Sequence, residues 1–308
     1  VGSGRGHRGQ RHDGTGQFAR RWIADHGRPS NARLVNGLPP RVLVPLVSLV
    51  ALSAVALAAP WLSPFPPNEI PAEGVIASLA PTLLHPFGTD SAGRDVLSRV
   101  LFGARVSLGV ALLSVLLAST VGTLYGAASG WIGGIIDAAC MRVLDVLMSI
   151  PRLLVLLCVA ALWGALPLTG IVLLLGLTGW YDVARLVRAD VQGLRSREFV
   201  LAARATGVRE ARILWQHVLP HVLPTLAVTA TLGVAQTIAF EAGLSYLGLG
   251  VQPPQASWGS ILSDGTALGI GRWWVTVFPG LAIVGAVLVC NALGDALREA
   301  LAPRQVAA

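Results

Sequence analysis

Residues 198–220, EFVLAARATGVREARILWQHVLP, are a polar, arginine-rich stretch that separates two long apolar runs. Up to Thr206 the stretch consists mostly of Ala, Leu, Arg and Glu, which are good helix formers. Gly207 interrupts this pattern, a second helical pattern follows, and Pro220 suits the first turn of the next helix. The stretch therefore predicts a helix–turn–helix, and the apolar runs beside it decide where that unit lies.

The composition indicates that these apolar runs lie in a membrane. The chain has 308 residues, of which 54% are hydrophobic and 13% are charged, whereas a soluble domain carries about 25% charged residues. The formal net charge is +7, and its arginines lie beside apolar runs without an aromatic-interleaved basic module. We therefore predict an all-α integral membrane protein whose partner is the lipid bilayer and not nucleic acid.

Six apolar runs come close to the ~20 residues that a helix needs to cross a bilayer. They predict six transmembrane helices at 42–62, 105–126, 143–163, 168–188, 222–244 and 274–294. The other segments are a flexible Arg- and Gly-rich tail at 1–41, an extracytoplasmic segment at 63–104, a loop at 189–221 and a C-terminal tail at 295–308. The last five spans and the loop form the predicted core, 105–294. A cleaved signal peptide is disfavoured because the first run is long and follows a long tail.

The arginines indicate on which side of the membrane each segment lies. The N-terminal tail and the loop at 189–221 hold most of them, whereas the turns on the other side hold few. Because arginine is enriched on the cytoplasmic side, we predict that the tail, this loop and the C-terminus are cytoplasmic. Six spans agree with this arrangement, since they return the chain to the side on which it began.

The first outer segment ends in FGTDSAGRDVLSRVLFGARVSLG. Asp90 stands where it would cap a helix that begins near Ser91. Asp90 and Arg94, then Asp95 and Arg99, are spaced i,i+4 and predict two ion pairs on one helical face. We interpret this segment as an amphipathic helix on the outer surface with ordinary solvated ion pairs, and a role in gating as the alternative.

Four-residue spacing of glycines in the second span predicts close helix packing. Gly122, Gly126 and Gly130 lie on one helical face, which lets another helix approach closely in lipid. This pattern is a signal for membrane packing and carries no information about a solute.

Two further sites involve charges near or inside the apolar runs. Arg142 and Asp145 lie at i,i+3 on the approach to the third span and predict an ion-paired cytoplasmic anchor, with direct contact to a partner subunit as the alternative. Pro151 should kink the helix nearby. Glu241 is the only carboxylate of the fifth span, and an intramembrane acid is a candidate functional residue. Its alternatives are a role in the solute path or outer gate, contact with headgroup water, and pairing with a partner subunit.

Enzymatic chemistry finds little support. The chain has no lysine, which excludes a phosphate-binding G-x-x-x-x-G-K-[ST] loop. His217 and His221 are spaced i,i+4 but lack the glutamate of a zinc-binding H-E-x-x-H motif. The three cysteines form no metal pair or disulfide framework. We predict no catalytic, cofactor-binding or metal site, and no ATP hydrolysis by this chain.

The face of the helix–turn–helix combines small and basic residues. Its alanines would let a partner approach the backbone, and Arg204, Arg209 and Arg212 would pair with acidic groups on that partner. The alternative is an amphipathic connector that lies on the anionic inner leaflet.

The stretch LAARATGVREARILWQHVLP resembles the "EAA" loop of ABC-transporter importer permeases. The matching residues are Ala202, Ala203, Gly207, Leu219 and Pro220. Leu201 stands where that family usually has Glu, and His217 stands where it usually has Ile. These departures put a specific contact by the Glu in doubt and leave the small residues and the turn in place.

Three further blocks also resemble this family. They are HPFGTDSAGRDVLSRVLFGARVSL at 85–108, DAACMRVLDVLMSIPRLL at 137–154 and FEAGLSYLGLGVQPPQASWGSIL at 240–262. They look like signature segments of the C-type subunit in the dipeptide, oligopeptide and nickel branch. The resemblance extends from about residue 42 to residue 300, in the same order.

The resemblance implies a type I importer (MetI-like) permease in a bacterial cytoplasmic membrane. Such a chain forms half of a pore, and a second homologous permease forms the other half. Its further partners are two subunits that bind ATP and Mg and an extracytoplasmic solute-binding protein. Trp258 and its neighbours would then contact the binding protein or form an outer gate. The ATPase-coupling loop would comprise Glu198, Leu201, Ala202, Ala203, Arg204, Ala205, Gly207, Arg212, Leu219 and Pro220.

The resemblance leaves the solute open. Di- and oligopeptides are the first expectation within this branch, and nickel or another small solute is the alternative. A secondary transporter driven by an ion gradient is a further rival, which paired intramembrane charges and inverted repeats would favour.

Overall fold

The computed structural model describes residues 40–70 and 78–301, and helices joined by short loops account for most of them. Contacts between residues divide the chain into two units, 1–43 and 44–308. The described part of the first unit is only the start of one helix. The fold described below is therefore that of the second unit. The predicted tail at 1–41 lies outside the described residues except for its last two, which are helical.

Eleven α-helices can be named in the described ranges. They are α1 Pro40–Leu57, α2 Ala59–Leu62, α3 Val96–Ile132, α4 Gly134–Met148, α5 Arg152–Trp163, α6 Leu168–Arg195, α7 Glu198–Ala205, α8 Glu210–Ile213, α9 Leu219–Tyr246, α10 Trp258–Ala267 and α11 Trp274–Leu301. A π-helical turn, Leu214–Val218, joins α8 to α9, and a 3₁₀ turn, Ile270–Arg272, precedes α11.

By length and composition, the described residues hold five helices able to cross a membrane, or six if a bent pair is one span. The bent pair is α4 and α5, which meet at an angle of 70°. The third predicted span, 143–163, falls within this bent pair. Pro151 stands at the break with an extended ψ of 127°, in agreement with the predicted kink.

The outer segment contains no separate amphipathic helix in its described part. Asp95, and not Asp90, caps the helix, because its carboxylate accepts the Ser98 N–H at 2.7 Å. From Val96 the helix α3 then continues without interruption for 37 residues into the predicted second span. The helix start predicted near Ser91 is wrong, since residues 91–94 form a turn in which Gly93 has a φ of 79°.

The predicted glycines of the second span lie where α3 packs against α6. A Cβ atom on Gly126 would overlap the carbonyl oxygen of Ala184, and one on Gly130 would lie 2.8 Å from a carbonyl oxygen of α6. Gly122 approaches the same helix equally closely. The absence of side chains at these positions lets the two backbones touch.

Candidate functional site

The stretch at 198–220, called the elbow below, has the predicted helix–turn–helix structure. Helix α7 ends at Ala205, and the chain turns at Gly207, whose φ is 78°. Glycine suits this left-handed conformation because it has no Cβ atom. Helix α8 then leads through the π-helical turn directly into α9, so the elbow is continuous with a candidate membrane span.

An apolar underside attaches the elbow to the spans. Val200, Ile213 and Val218 are fully buried, and they pack with Val191 of α6 and with Trp131 at the end of α3. Three buried branched side chains contribute about 1.5–3 kcal/mol each relative to exposed ones. The elbow therefore follows the ends of α3, α6 and α9 when these helices move.

An ion pair spans the turn of the elbow. The Arg204 Nε and Nη2 atoms donate to the two carboxylate oxygens of Glu210, at 2.8 and 3.1 Å. The same guanidinium lies 5.2 Å from the centre of the Trp131 ring. Arg204 is thus bound to Glu210 within the chain, and its pairing with acidic groups on a partner stays a prediction. Arg209 and Arg212 are exposed.

One of the alanines predicted to face a partner is not on the exposed side of the elbow. Ala203 is half-buried against the apolar underside, whereas Ala202 and Ala205 are exposed. Phe199 and Trp215 are also exposed, and the sequence reasoning missed them although aromatic residues are unusual in so polar a stretch. Of the other predicted elbow residues, Leu219 is half-buried, and the exposed ones are Glu198, Leu201, Gly207, Arg212 and Pro220.

The predicted cytoplasmic anchor has a different partner. Asp145 accepts a hydrogen bond from the Arg185 Nη2 atom at 2.8 Å and does not pair with Arg142, which is exposed. A helix keeps i,i+3 residues close, but Arg185 on α6 approaches Asp145 more closely. A second pair, between Arg188 and the buried Asp137, also ties α6 to α4, with an Nη2–Oδ2 distance of 2.6 Å.

The charged side chains at the end of the outer segment form a buried network. Asp90 has no exposed surface, and it binds both Arg94, at 2.7 Å, and Arg99. Arg99 also contacts Asp264 of α10 at 2.9 Å. The predicted pair of Asp95 with Arg99 is wrong, and so is the expectation of solvated pairs, because the loop before α3 folds back over these side chains.

Glu241 and Trp258 lie in the packed interior between α3, α9 and α10. Glu241 is fully buried and accepts hydrogen bonds from the Ser107 and Ser245 hydroxyls, at 2.8 and 2.7 Å. The Trp258 ring is 1% exposed, and its Nε1 atom donates to the Val100 carbonyl at 3.0 Å. The predictions that Glu241 contacts headgroup water and that Trp258 contacts an external partner are therefore wrong.

Comparison with known proteins identifies the family. A sequence profile described as "Binding-protein-dependent transport system inner membrane component" matches residues 122–306. The chain belongs to this family. It is therefore a multi-pass inner-membrane transport component, and the match includes the elbow and the spans on both sides of it.

Individual relatives agree with this assignment. A Brucella suis biovar 1 protein named as a candidate peptide permease is 42% identical over 84% of this chain and 85% of its own. The Haemophilus influenzae oligopeptide transport system permease protein OppC is 38% identical over 84% of each chain. The MetNI methionine ABC transporter in an inward-facing conformation is similar in structure, with a TM-score of 0.52 and 20% identity over 67% of this chain and 98% of that one. The predicted all-helical, MetI-like membrane fold is confirmed.

The transport component also has a polar cavity that the sequence reasoning missed. It has a volume of about 370 Å³ and lies between α3, α5, α6 and α9. Its charged and polar lining includes Arg152, Asp182, Gln236 and Ser119, and Arg298 of α11 also lines it. The signal was present in the sequence, since Arg152 directly follows the Pro151 that interrupts the third apolar run.

Proposed function

We propose that this chain is the pore-forming permease subunit of an ATP-driven importer, and that its solutes are di- or oligopeptides. The observation that carries the proposal is the elbow: an exposed helix–turn–helix with small residues on its surface, in a chain of the binding-protein-dependent transport family. The elbow would be the surface on which a separate ATPase subunit acts.

The contacts of the elbow support its role as a coupling element. Its underside packs on α3 and α6, and its C-terminal end continues into α9. The Arg204–Glu210 pair braces the two arms against each other. A force on the exposed face therefore displaces the ends of three spans together and does not merely bend a loose loop.

The mechanism follows from two states of the complex. Closure of two ATPase subunits on ATP would bring two elbows together and open the pore outward, and hydrolysis would reverse the shift. The solute would move because ATP binds the two states with different affinity. ATP and Mg would bind to the ATPase subunits, and this chain would contribute no catalytic residue.

The partners and the orientation belong to the same proposal. A second homologous permease would complete the pore, and an extracytoplasmic binding protein would deliver the solute. Both termini and the elbow would be cytoplasmic, as the arginine distribution indicates. Peptides are the proposed solutes because relatives with 42% and 38% identity are named as peptide permeases.

Reconstitution of the whole complex in proteoliposomes tests this function. Uptake of a radiolabelled tripeptide should require ATP inside the vesicles and loaded binding protein outside, and it should continue in the presence of ionophores. A complex without this chain serves as the control. Uptake that needs no ATP and that ionophores abolish would identify a secondary transporter instead. ATP-driven uptake of nickel but not of peptide would make nickel the solute.

A further inference from the structure

We propose that the polar cavity between α3, α5, α6 and α9 is a passage site for the peptide inside this chain. In it, Arg152 receives the carboxylate of the peptide and Asp182 faces its ammonium group. This inference rests on the proposed peptide function and names the residues by which the pore chain recognises a zwitterionic solute. Its volume of about 370 Å³ lies within the range of roughly 300–1,000 Å³ of small-molecule pockets.

Arg152 is held in place and still has a free donor group. Its Nη2 atom donates to the Leu175 carbonyl at 2.8 Å, and its Nε atom donates to the Thr178 hydroxyl at 3.3 Å. The guanidinium also lies 4.7 Å from the centre of the Phe240 ring. Within residues 40–70 and 78–301, nothing accepts a hydrogen bond from Nη1 and no carboxylate pairs with Arg152. The side chain is therefore a preorganised cation with a donor left for a ligand.

The break between α4 and α5 lies beside the cavity. Arg152 is the first residue of α5, and the two helices bend by 70° at the break. Irregular backbone at membrane depth is tolerated where it lines a cavity. The break therefore places Arg152 at the wall of the cavity.

Helices α6 and α3 supply an acceptor and a neutral polar group to the cavity. Asp182 of α6 is exposed to the cavity and forms no ion pair with any described residue. It lies one helical turn after Thr178, whose hydroxyl accepts a hydrogen bond from Arg152. The Ser119 hydroxyl is buried and has no hydrogen-bond partner in the described chain. Charged groups inside a membrane chain are expensive and often mark solute paths. The cavity is lined by two cations, Arg152 and Arg298, and by the anion Asp182, so it presents charges of both signs to the two ends of a peptide.

The test uses the reconstituted complex with binding protein at saturating concentration and tri-alanine as the probe. Arg152→Gln should lower ATP-dependent uptake about 10-fold or more, because a charge-assisted hydrogen bond is lost. Arg152→Lys, which keeps the charge, should retain more uptake than Arg152→Gln, and Asp182→Asn should also lower uptake. ATP hydrolysis stimulated by the binding protein should stay within about two-fold of the wild type in all three. Arg105→Gln is the matched control, since Arg105 is an exposed arginine outside the cavity.

Each result decides the inference. Normal tri-alanine uptake by Arg152→Gln would overturn it. An equal loss of uptake and stimulated ATP hydrolysis in the Gln and Lys variants would also overturn it, because that pattern indicates a purely structural arginine. If the wild-type complex takes up no peptide with ATP, the proposed function itself fails, and that failure is visible before any variant is measured.

Discussion

Gly207 is the residue at which backbone conformation alone determines the shape of the elbow. Its φ is 78°, and a Cβ atom at this position would meet nothing within 4 Å. Space is therefore not the constraint, but L-residues pay a conformational penalty of about 1–2 kcal/mol in this left-handed region. A substitution here changes the turn without disturbing the apolar underside.

We expect Gly207→Val to insert normally and to lower ATPase-subunit affinity roughly 10-fold, since β-branched residues disfavour positive φ. Gly207→Asn is the matched control, because Asn tolerates this conformation and should bind nearly as well as the wild type. The measurement is co-purification of the ATPase subunits at limiting concentration, together with peptide uptake. Wild-type values for both variants would contradict the role of the elbow in coupling.

Buried and exposed ion pairs of this chain should differ sharply in their contribution to stability. Asp90 has no exposed surface and binds Arg99, which is also buried, whereas Asp145 and its partner Arg185 are about half exposed. Asp90→Asn should lower the free energy of unfolding by about 3 kcal/mol, because it leaves buried arginine charge undercompensated. Asp145→Asn should lower it by less than about 1 kcal/mol. Thermal unfolding of the detergent-purified chain compares the two, and equal losses would show that the outer network is solvated after all.

At the scale of elements, the contact between α3 and α6 depends on glycines. Gly126→Ala would place a methyl group on the Ala184 carbonyl, and such overpacking costs about 1–3 kcal/mol. Gly109→Ala lies on the same helix, and its added methyl would meet nothing within 4 Å. We expect the unfolding temperature to fall for Gly126→Ala and to stay level or rise for Gly109→Ala, since Ala favours helix over Gly. Equal unfolding temperatures would argue that the helices can separate without loss.

The broken pair α4 and α5 connects the ion pairs between α4 and α6 to the cavity. Asp137 and Asp145 on α4 bind arginines near the C-terminal end of α6, while Arg152 on α5 binds α6 near its middle. A movement of α6 that follows the elbow is therefore transmitted to both halves of the pair. This arrangement links the coupling surface to the proposed passage site through α6.

At the scale of the whole molecule, the orientation in the membrane should be measurable from two exposed positions. In a chain whose native cysteines are replaced, Thr206→Cys should react with an impermeant maleimide only in inside-out vesicles. Asn68→Cys should react only in right-side-out vesicles. Thr206 lies in the elbow, Asn68 lies in the outer segment after α2, and both are exposed. The cysteines to be replaced are Cys140, Cys158 and Cys290.

Labelling with permeant maleimide after detergent treatment provides the control, because both cysteines should then react fully. Reaction of Thr206→Cys from outside the intact cell would place the elbow away from the ATPase subunits. That result would contradict the orientation and the coupling role together.

Much of the architecture follows from local sequence. Long apolar runs form helices because a helix satisfies its backbone hydrogen bonds within the segment, where the bilayer offers no water. The elbow was also predictable, because Gly207 between two helix-forming segments is a local signal. The glycines at 122, 126 and 130 predicted a close helix contact, although only the structure identifies α6 as the partner.

The tertiary structure decided which charges meet. The i,i+4 and i,i+3 spacings predicted Asp95 with Arg99 and Asp145 with Arg142, but Asp264 and Arg185 from distant segments come closer. It also decided which polar residues are buried, such as Glu241 among its serines, and which line a cavity, such as Arg152. Helix formation and turns depend on neighbouring residues, and the sequence by itself therefore determined the spans and the elbow. Burial and ion pairing depend on how segments far apart in the chain pack together, and only the tertiary structure therefore decided the sites between the spans.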